Sequence, residues 1–389
     1  MLKNLFSALP PERLAVISMG DDSETSEEWE APFPQNRVRA PLRFWRKLDP
    51  KMLHRIPEFL KCAKTLCPPE TTAGVLLVNP VSGFELAGWW IARKYGVPHH
   101  IYFLDECRQL NKGMLHGFGK TIGARLLDGM LTSASSRFCI NPLLQANYFE
   151  KFYPTLRFTQ LPMSCPPGVQ PAKSLPKKEL SGSRNRLIVF TGHILPRYNL
   201  TPLKHLIDIL NEMDPAGPRL VIATPDPPHR LARFGLSSSQ KVALVSLNSQ
   251  ECMKLQNEAD LLFLPVTCDY KHKSYAKTTF PSKTIEYLAS TARILIYGSH
   301  DVSFFQYMEE HNLAVTVDAG NKALLRQTIL HLVDHPELNE AEKEARDREL
   351  ALHDPRNVAC ILMTKTGLAA WTAHAFAKRA GMNHRPGKK

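Results

Sequence analysis

Apolar, β-branched runs alternate with longer amphipathic stretches along most of the chain, the pattern of a parallel sheet covered on both faces by helices. In the C-terminal half, the runs at 187–191, 219–223, 242–246, 260–265, 293–297 and 313–317 predict strands. A helical period predicts helices near 200–213, 249–258, 281–289, 301–311 and 321–334. That is the complement of a full doubly wound domain. In the N-terminal half, strands are predicted at 13–19, 74–78, 98–104, 137–140 and 156–161, with helices near 51–66, 84–95, 115–131 and 142–152. Between the halves, CPPGVQPAKSLPKKELSGSRNR is rich in Pro, Gly, Ser and charge and has no period, so it reads as a linker. The predicted organisation is an N-terminal domain over 1–165, a linker over 166–185 and a C-terminal domain over 186–340. Over 341–389 follow a charged helix, a mixed apolar helix near 356–380 and a basic tail.

Bulk properties agree with a soluble α/β protein. The chain has 389 residues, 43% apolar and 22% charged, enough for two cores without disulfides or metal. No run of about 18 apolar residues predicts a membrane span, and the start MLKNLFSALPPERLAVIS is too soon broken by prolines for a signal peptide. The expected compartment is the cytoplasm. The 8 cysteines form no CxxC pair and lie mostly in apolar segments, the pattern of reduced core residues. HLVDH at 331–335 spaces two histidines one helical turn apart without a third ligand nearby, so no structural metal is predicted.

The net charge of +12 points to an acidic partner. Lysines gather at Lys271, Lys273, Lys277 and Lys283 and again in the tail KRAGMNHRPGKK. No interleaved aromatic signature of RNA binding accompanies them, so nucleic acid is not an expected partner. The lysine loop suits a small anionic ligand, and the tail suits loose contact with anionic lipid at the inner face of a membrane.

Residues 278–297, TTFPSKTIEYLASTARILIY, carry the sharpest chemistry. They read as a basic loop opening a helix that runs into a buried strand. Pro281 suits the first helical turn, Thr279 or Ser282 can cap it, and the turn offers backbone N–H groups to phosphate. Lys283 can then bring a cation to a diphosphate, and Glu286, three residues on, can accept from the vicinal hydroxyls of a ribose. The same pair can equally be a solvated surface pair. In doubly wound sheets the ligand sits beyond the carboxyl ends of the strands, which singles out the loop TGHILPRYNL. There Gly192 allows close backbone approach, and His193 and Arg197 can donate to phosphate. The loop after 242–246, at Ser246 and Leu247, can read a base through backbone groups. In the N-terminal half, Asn79, Ser82 and Gly83 follow one strand and the pair Asp105 and Glu106 follows another; the latter is a candidate for acceptor-side catalysis or a plain helix-capping turn.

EADLLFLPV, then FPSKTIEYLASTARILIYG, then NLAVTVDAGNKALLRQTI resembles the nucleotide-sugar half of a GT-B glycosyltransferase, most like family 4 of the retaining enzymes. The match covers about 186–335 and, more weakly, 70–165, where SSRFCINPLLQANYFEKFYP looks like the last strand and helix of the N-domain. The resemblance implies two Rossmann-like domains facing across a cleft and transfer from a nucleoside-diphosphate sugar, with retention and without a metal or other cofactor. It assigns Glu286 to the ribose and Lys283 to the diphosphate side. Departures are visible: where the family carries a basic pair after the first C-domain strand, this chain has His193 and Tyr198 with Arg197 beside it. Arg197 and the Lys271–Lys277 loop are the candidate substitutes. Where many members have a second glutamate facing the donor sugar, this chain has Thr278.

The family's N-domain opens with a buried strand and a glycine-rich turn, whereas this chain starts where the end of the first helix would be. A central strand cannot be omitted without orphaning its neighbours. The expectation is therefore that Met1 is an internal methionine and that roughly 20–40 residues, about one strand, turn and helix, precede it; a degenerate protein is the competing reading. Three functions stay open: transfer of a sugar to a carbohydrate or lipid-linked acceptor in surface polysaccharide or glycoconjugate synthesis, a non-catalytic GT-B protein that binds nucleotide or glycan as an assembly or regulatory partner, and a nucleotide-sugar epimerase. A P-loop enzyme and a dinucleotide oxidoreductase are disfavoured by the lack of their glycine motifs.

Overall fold

The computed structural model of the chain describes residues 9, 14–20, 35–39, 56–78, 83–106, 118–165, 186–268 and 276–367. These fall into two compact units, Met1–Ser164 with Asp354–Lys389, and Cys165–His353. The linker over 166–185, residues Asn79, Ser82, Lys271 and Lys273, and the basic tail beyond 367 lie outside the described residues.

The first unit carries a four-stranded parallel sheet in sequential order, β3 (Val75–Val78), β4 (His99–Phe103), β5 (Ser136–Cys139) and β6 (Thr159–Gln160). Helices α1 (Ile56–Leu66), α2 (Gly83–Tyr95) and α3 (Phe118–Ser133) alternate with these strands. The helix over 142–152 contains a π turn at Gln145–Phe149 and is capped by Asn141, whose side chain accepts from the Leu144 N–H. β4 is buried at every position, as befits a strand covered on both faces. The strand expected at 13–19 forms as β1 (Val16–Gly20), but its hydrogen-bonded partner is β2 (Gln35–Arg39), in a parallel two-stranded sheet of their own. That partner carries no sequence signal: QNRVR has only one apolar residue and hence no run to mark it.

The second unit is built on a six-stranded parallel sheet in the order Val315–Asp318, Arg293–Gly298, Leu261–Pro265, Leu187–Thr191, Arg219–Ala223, Val242–Val245. The chain enters at the centre with β7 (Leu187–Thr191) and moves outward through β8 (Arg219–Ala223) and β9 (Val242–Val245). It then crosses to the other side of β7 with β10 (Leu261–Pro265) and continues to β11 (Arg293–Gly298) and β12 (Val315–Asp318). Leu261, Leu262 and Phe263 are all fully buried, so alternation is lost where both faces are covered. The covering helices present apolar residues at three- and four-residue spacing: Leu203, Leu206 and Leu210 from Leu200–Asn211, and Leu325, Ile329, Leu332 and Val333 from Lys322–Asp334. A capping box of Asn248 and Glu251 starts Ser249–Glu258, and another of Asn339 and Glu342 starts Glu340–Leu352. Gly298 closes β11 where a Cβ would lie 2.2 Å from Val266 Cγ2 and 2.6 Å from the Val266 carbonyl oxygen, so only glycine fits against β10. The short helix Pro228–Arg233 leaves no sequence signal, since six residues are too few to show a period.

Candidate functional site

Strand order reverses between β7 and β10, so their carboxyl ends diverge and leave the crevice in which doubly wound sheets bind ligands. Three chain segments meet there: the turn after β7, the turn after β10 and the helix Lys283–Leu288. Gly192 leaves β7 at φ +136°, a conformation that a side chain resists, and a Cβ there would lie 3.8 Å from Lys283 Cγ. The Thr267 hydroxyl, just beyond β10, donates to the Arg197 carbonyl at 3.1 Å and stitches the two turns together.

Lys283 Nζ donates to both oxygens of Glu286, at 3.1 Å and 2.8 Å. This is more than a solvated pair, because the side chains are only 32% and 21% exposed and the carboxylate has a second donor. Gln256 Nε2, from the last turn of Ser249–Glu258, reaches Glu286 Oε2 at 3.2 Å and Thr191 Oγ1 at 2.9 Å. Thr191 in turn donates its backbone N–H to Tyr287 Oη at 2.8 Å, and its hydroxyl to the same oxygen at 3.3 Å. Burial holds the Tyr287 phenol well above its ordinary value, so it remains a neutral hydroxyl. Cys252, one turn before Gln256, sits in the same field: burial raises its pKa, Lys283 opposes and Glu286 adds to the rise. From behind, Arg346 on Glu340–Leu352 donates to the carbonyls of Ser290 at 3.2 Å and Ala292 at 2.9 Å, just beyond the end of the helix that carries Glu286.

The turn 191–199 is held by a second centre. Asp226, after β8, accepts from the Ile194 N–H at 2.6 Å, Thr224 Oγ1 at 3.0 Å and Arg230 Nη1 at 2.8 Å, with His193 Nδ1 at 3.3 Å. Burial pushes its pKa up, but the Ile194, His193 and Thr224 hydrogen bonds and the Arg230 charge outweigh it, so the carboxyl stays below its ordinary range. Asn199 closes the turn on itself, donating to the His193 carbonyl at 2.9 Å and accepting from the Leu195 N–H at 2.8 Å. His193 therefore stands 65% exposed at the rim with Nδ1 committed to Asp226 and Nε2 turned away from that bond. The Arg197 side chain is exposed.

Among the residues singled out from the sequence, Gly192, Lys283 and Glu286 come together at the strand reversal, with His193 and Arg197 on the adjoining turn. Leu247 lies just ahead of Ser249–Glu258, its carbonyl accepting from Cys252 Sγ at 3.9 Å. Of the two expected caps, Thr279 or Ser282, the one by Ser282 is not formed: Ser282 already has helical backbone angles, φ −61° and ψ −28°, and its side chain makes no cap bond. Lys277 is exposed, while Thr278, at the position of the family's second glutamate, is buried. Thr191, Gln256, Tyr287 and Asp226 carried no spacing signal, being polar residues dispersed among apolar runs.

In the first unit, Asp105 and Glu106 follow β4. Burial, and then the neighbouring Glu106 charge, push the Asp105 carboxyl up to about 6. The rings of His331 and His335 lie tilted with centroids 4.7 Å apart, and His335 Nδ1 lies 3.0 Å from the His331 carbonyl. Among the described residues no group of three or more His, Cys, Asp or Glu is placed to hold a metal ion, the cysteines are free thiols, and no helix is long and apolar enough to cross a membrane.

No protein-family model and no curated protein matches the sequence. Solved structures do match the fold. A sucrose-phosphate synthase from Thermosynechococcus elongatus superposes with a TM-score of 0.66 at 13% identity, over 96% of this chain and 92% of that one. The spinosyn forosaminyltransferase SpnP gives a TM-score of 0.53 at 13% identity, over 94% and 95% of the two chains. A mutant of S. aureus TarM, solved with fondaparinux, α-GlcNAc-glycerol and UDP, gives 0.54 at 10% identity over 80% of this chain and 58% of that one. The two parallel sheets, of four and six strands, thus form the pair of Rossmann-like domains of the GT-B glycosyltransferase fold.

Proposed function

We propose that the chain is a glycosyltransferase that takes a sugar from a nucleoside-diphosphate donor and delivers it to a carbohydrate or lipid-linked acceptor. The observation that carries this reading is the Lys283–Glu286 pair at the strand reversal, 2.8 Å apart beside the positive-φ turn of Gly192. Glu286 offers a carboxylate held in place as an acceptor to ribose hydroxyls, and Lys283, one turn away, can move its ammonium to the diphosphate. His193 and Arg197 add donors on the turn after β7. The likeness to a TarM structure containing UDP supports a nucleotide of this class.

A retaining transfer without metal asks the protein mainly to stabilise the departing nucleoside diphosphate. Lys283, Arg197, His193 and the Lys271, Lys273 and Lys277 loop are the proposed sources of positive charge. Asp105 and Glu106 are the proposed acceptor-side carboxylates. Surface polysaccharide or glycoconjugate synthesis, with the basic chain resting loosely on anionic lipid, is the setting that we infer, and the retaining family 4 is the branch that the motifs favour.

Two substitutions favour a second reading, a GT-B protein that binds nucleotide without transfer: His193 stands where the family carries arginine, and Thr278, where it carries a glutamate, is buried. Incubation with UDP-, GDP- and ADP-sugars separates the readings. Release of nucleoside diphosphate that depends on added glycan or lipid acceptor supports transfer. Binding without turnover supports the second reading, and turnover without acceptor an epimerase.

A further inference from the structure

Gln256 is 1% exposed, yet it is an amide in the last turn of a helix where a leucine would fill the same space. Burying an amide is unfavourable unless its hydrogen bonds are recovered. Here both protons of Nε2 have acceptors, Thr191 Oγ1 at 2.9 Å and Glu286 Oε2 at 3.2 Å. The orientation is chemically forced, because an ionised carboxylate only accepts and the amide oxygen turned toward it would repel. The Gln256 backbone carbonyl also accepts from Ser290 Oγ at 3.0 Å, so one residue holds both the carboxylate of Glu286 and the turn behind its helix.

The other end of this connection is equally anchored. Thr191 is the last residue of β7, immediately before the Gly192 turn, and its backbone N–H is held by the buried Tyr287 hydroxyl at 2.8 Å. Glu286 and Tyr287 are consecutive on one short helix, so the strand end grips the helix twice, once directly through Tyr287 and once through Gln256. Lys283 can release Glu286 when another anion competes for it. Gln256 has no such freedom, because its amide is enclosed.

We propose that Gln256 is the positioning residue for Glu286: it fixes the carboxylate, through Thr191, at a set distance from the Gly192 turn, and thereby sets the discrimination for ribose hydroxyls. The inference rests on the nucleotide reading above and concerns a residue that acts through Glu286 without touching the ligand. A carboxylate held on one oxygen by a rigid donor presents its remaining lone pairs in one direction, which favours a ligand that offers two adjacent hydroxyls. A carboxylate held only by a flexible lysine follows the lysine.

The test measures, by calorimetry, dissociation constants of UDP, GDP and ADP and of the 2′,3′-dideoxy form of whichever binds. Wild type is expected to prefer the ribose form by about tenfold or more, and Glu286→Gln to lose most of that preference. In Gln256→Leu the preference should fall at least threefold while the dideoxy nucleotide binds within twofold of wild type. A merely structural role would weaken both ligands alike. Thr191→Val, which removes the far anchor and keeps the shape, should show the same signature in weaker form, and Thr191→Ser should restore it; these keep the test decisive if Gln256→Leu does not fold. Discrimination that needs Glu286 but is unmoved in Gln256→Leu and Thr191→Val overturns the inference and leaves the nucleotide site standing. No binding by the folded wild type overturns the nucleotide reading itself, and the inference with it.

Discussion

One ammonium, that of Lys283, lies 3.1 Å and 2.8 Å from the two carboxylate oxygens of Glu286 and competes for the acceptor that a ribose would need. A nucleoside alone must share the carboxylate with this cation, whereas a nucleoside diphosphate offers the cation a new anion. Lys283→Met should therefore weaken a nucleoside diphosphate by about 10- to 100-fold, the worth of a charge-assisted hydrogen bond. The matching nucleoside should bind within about threefold of wild type, because the freed carboxylate compensates. Titration of each ligand into both proteins checks this, and an equal loss for nucleoside and diphosphate would count against the exchange.

Asp226 is the counterpart of that pair on the neighbouring turn, with its side chain 1% exposed and donors converging from Ile194, Thr224 and Arg230. Its folded pKa is held below the ordinary value of 3.8, so it stabilises the fold above that pH and the contribution is lost only as pH falls through the folded value. Asp226→Ala should be destabilised by on the order of 3 kcal/mol at pH 7, since it leaves a buried N–H and the Arg230 charge without their acceptor. As pH falls below the ordinary carboxylate value of 3.8, by the same linkage, the gap to wild type should narrow. Urea unfolding at both pH values reads the difference.

β7 and β8 were legible in the sequence to the residue because burial between neighbouring strands and covering helices leaves the apolar runs LIVF and LVIA in them. β2 was not, because QNRVR has no such run and the strand gains its place only by pairing with β1. At the site, Lys283 and Glu286 were legible because a three-residue spacing is a local signal. Gln256 and Asp226 act across 30 residues of intervening chain, to Glu286 in one case and about as far to His193 in the other, and nothing in their neighbours announces the partner. The expected Ser282 cap failed for a local reason too: the helix conformation begins one residue early, and the side chain of a residue already in that conformation does not reach the cap geometry.

Gly298 meets Val266 at 2.2 Å to Cγ2 and 2.6 Å to the carbonyl oxygen for an added Cβ, and the second contact is backbone that cannot rotate away. Gly298→Ala must therefore pry β11 from the end of β10, next to the strand reversal. A cost of about 1–3 kcal/mol is expected from such overpacking, measured as a lower midpoint in thermal or urea unfolding. Gly96 offers the contrast in space: nothing lies within 4 Å of an added Cβ there, and only its positive φ of +67° resists alanine, so Gly96→Ala should cost less.

Asp105 behaves oppositely to Asp226. Burial first, and then the charge of Glu106, raise its folded pKa to about 6 from 3.8, so the folded protein binds that proton more tightly than the unfolded chain does. The sign follows from linkage: above pH 6 the ionised Asp105 opposes folding, and the opposition fades as pH falls from about 6 through 3.8. At about 1.4 kcal/mol per pKa unit, a shift of this size corresponds to roughly 3 kcal/mol at neutral pH. Asp105→Asn removes the charge and keeps the shape, so it should stabilise the protein at pH 7.5, and the gain should shrink toward zero only as pH falls below 3.8. A strained acid retained against stability is the expected mark of a group kept for chemistry. If Asp105 serves the acceptor side, the same variant should lose acceptor-dependent turnover while nucleotide binding in the second unit is unchanged. A variant both more stable and fully active would remove Asp105 from the site, and one less stable at pH 7.5 would show that its hydrogen bonds outweigh the burial of its charge.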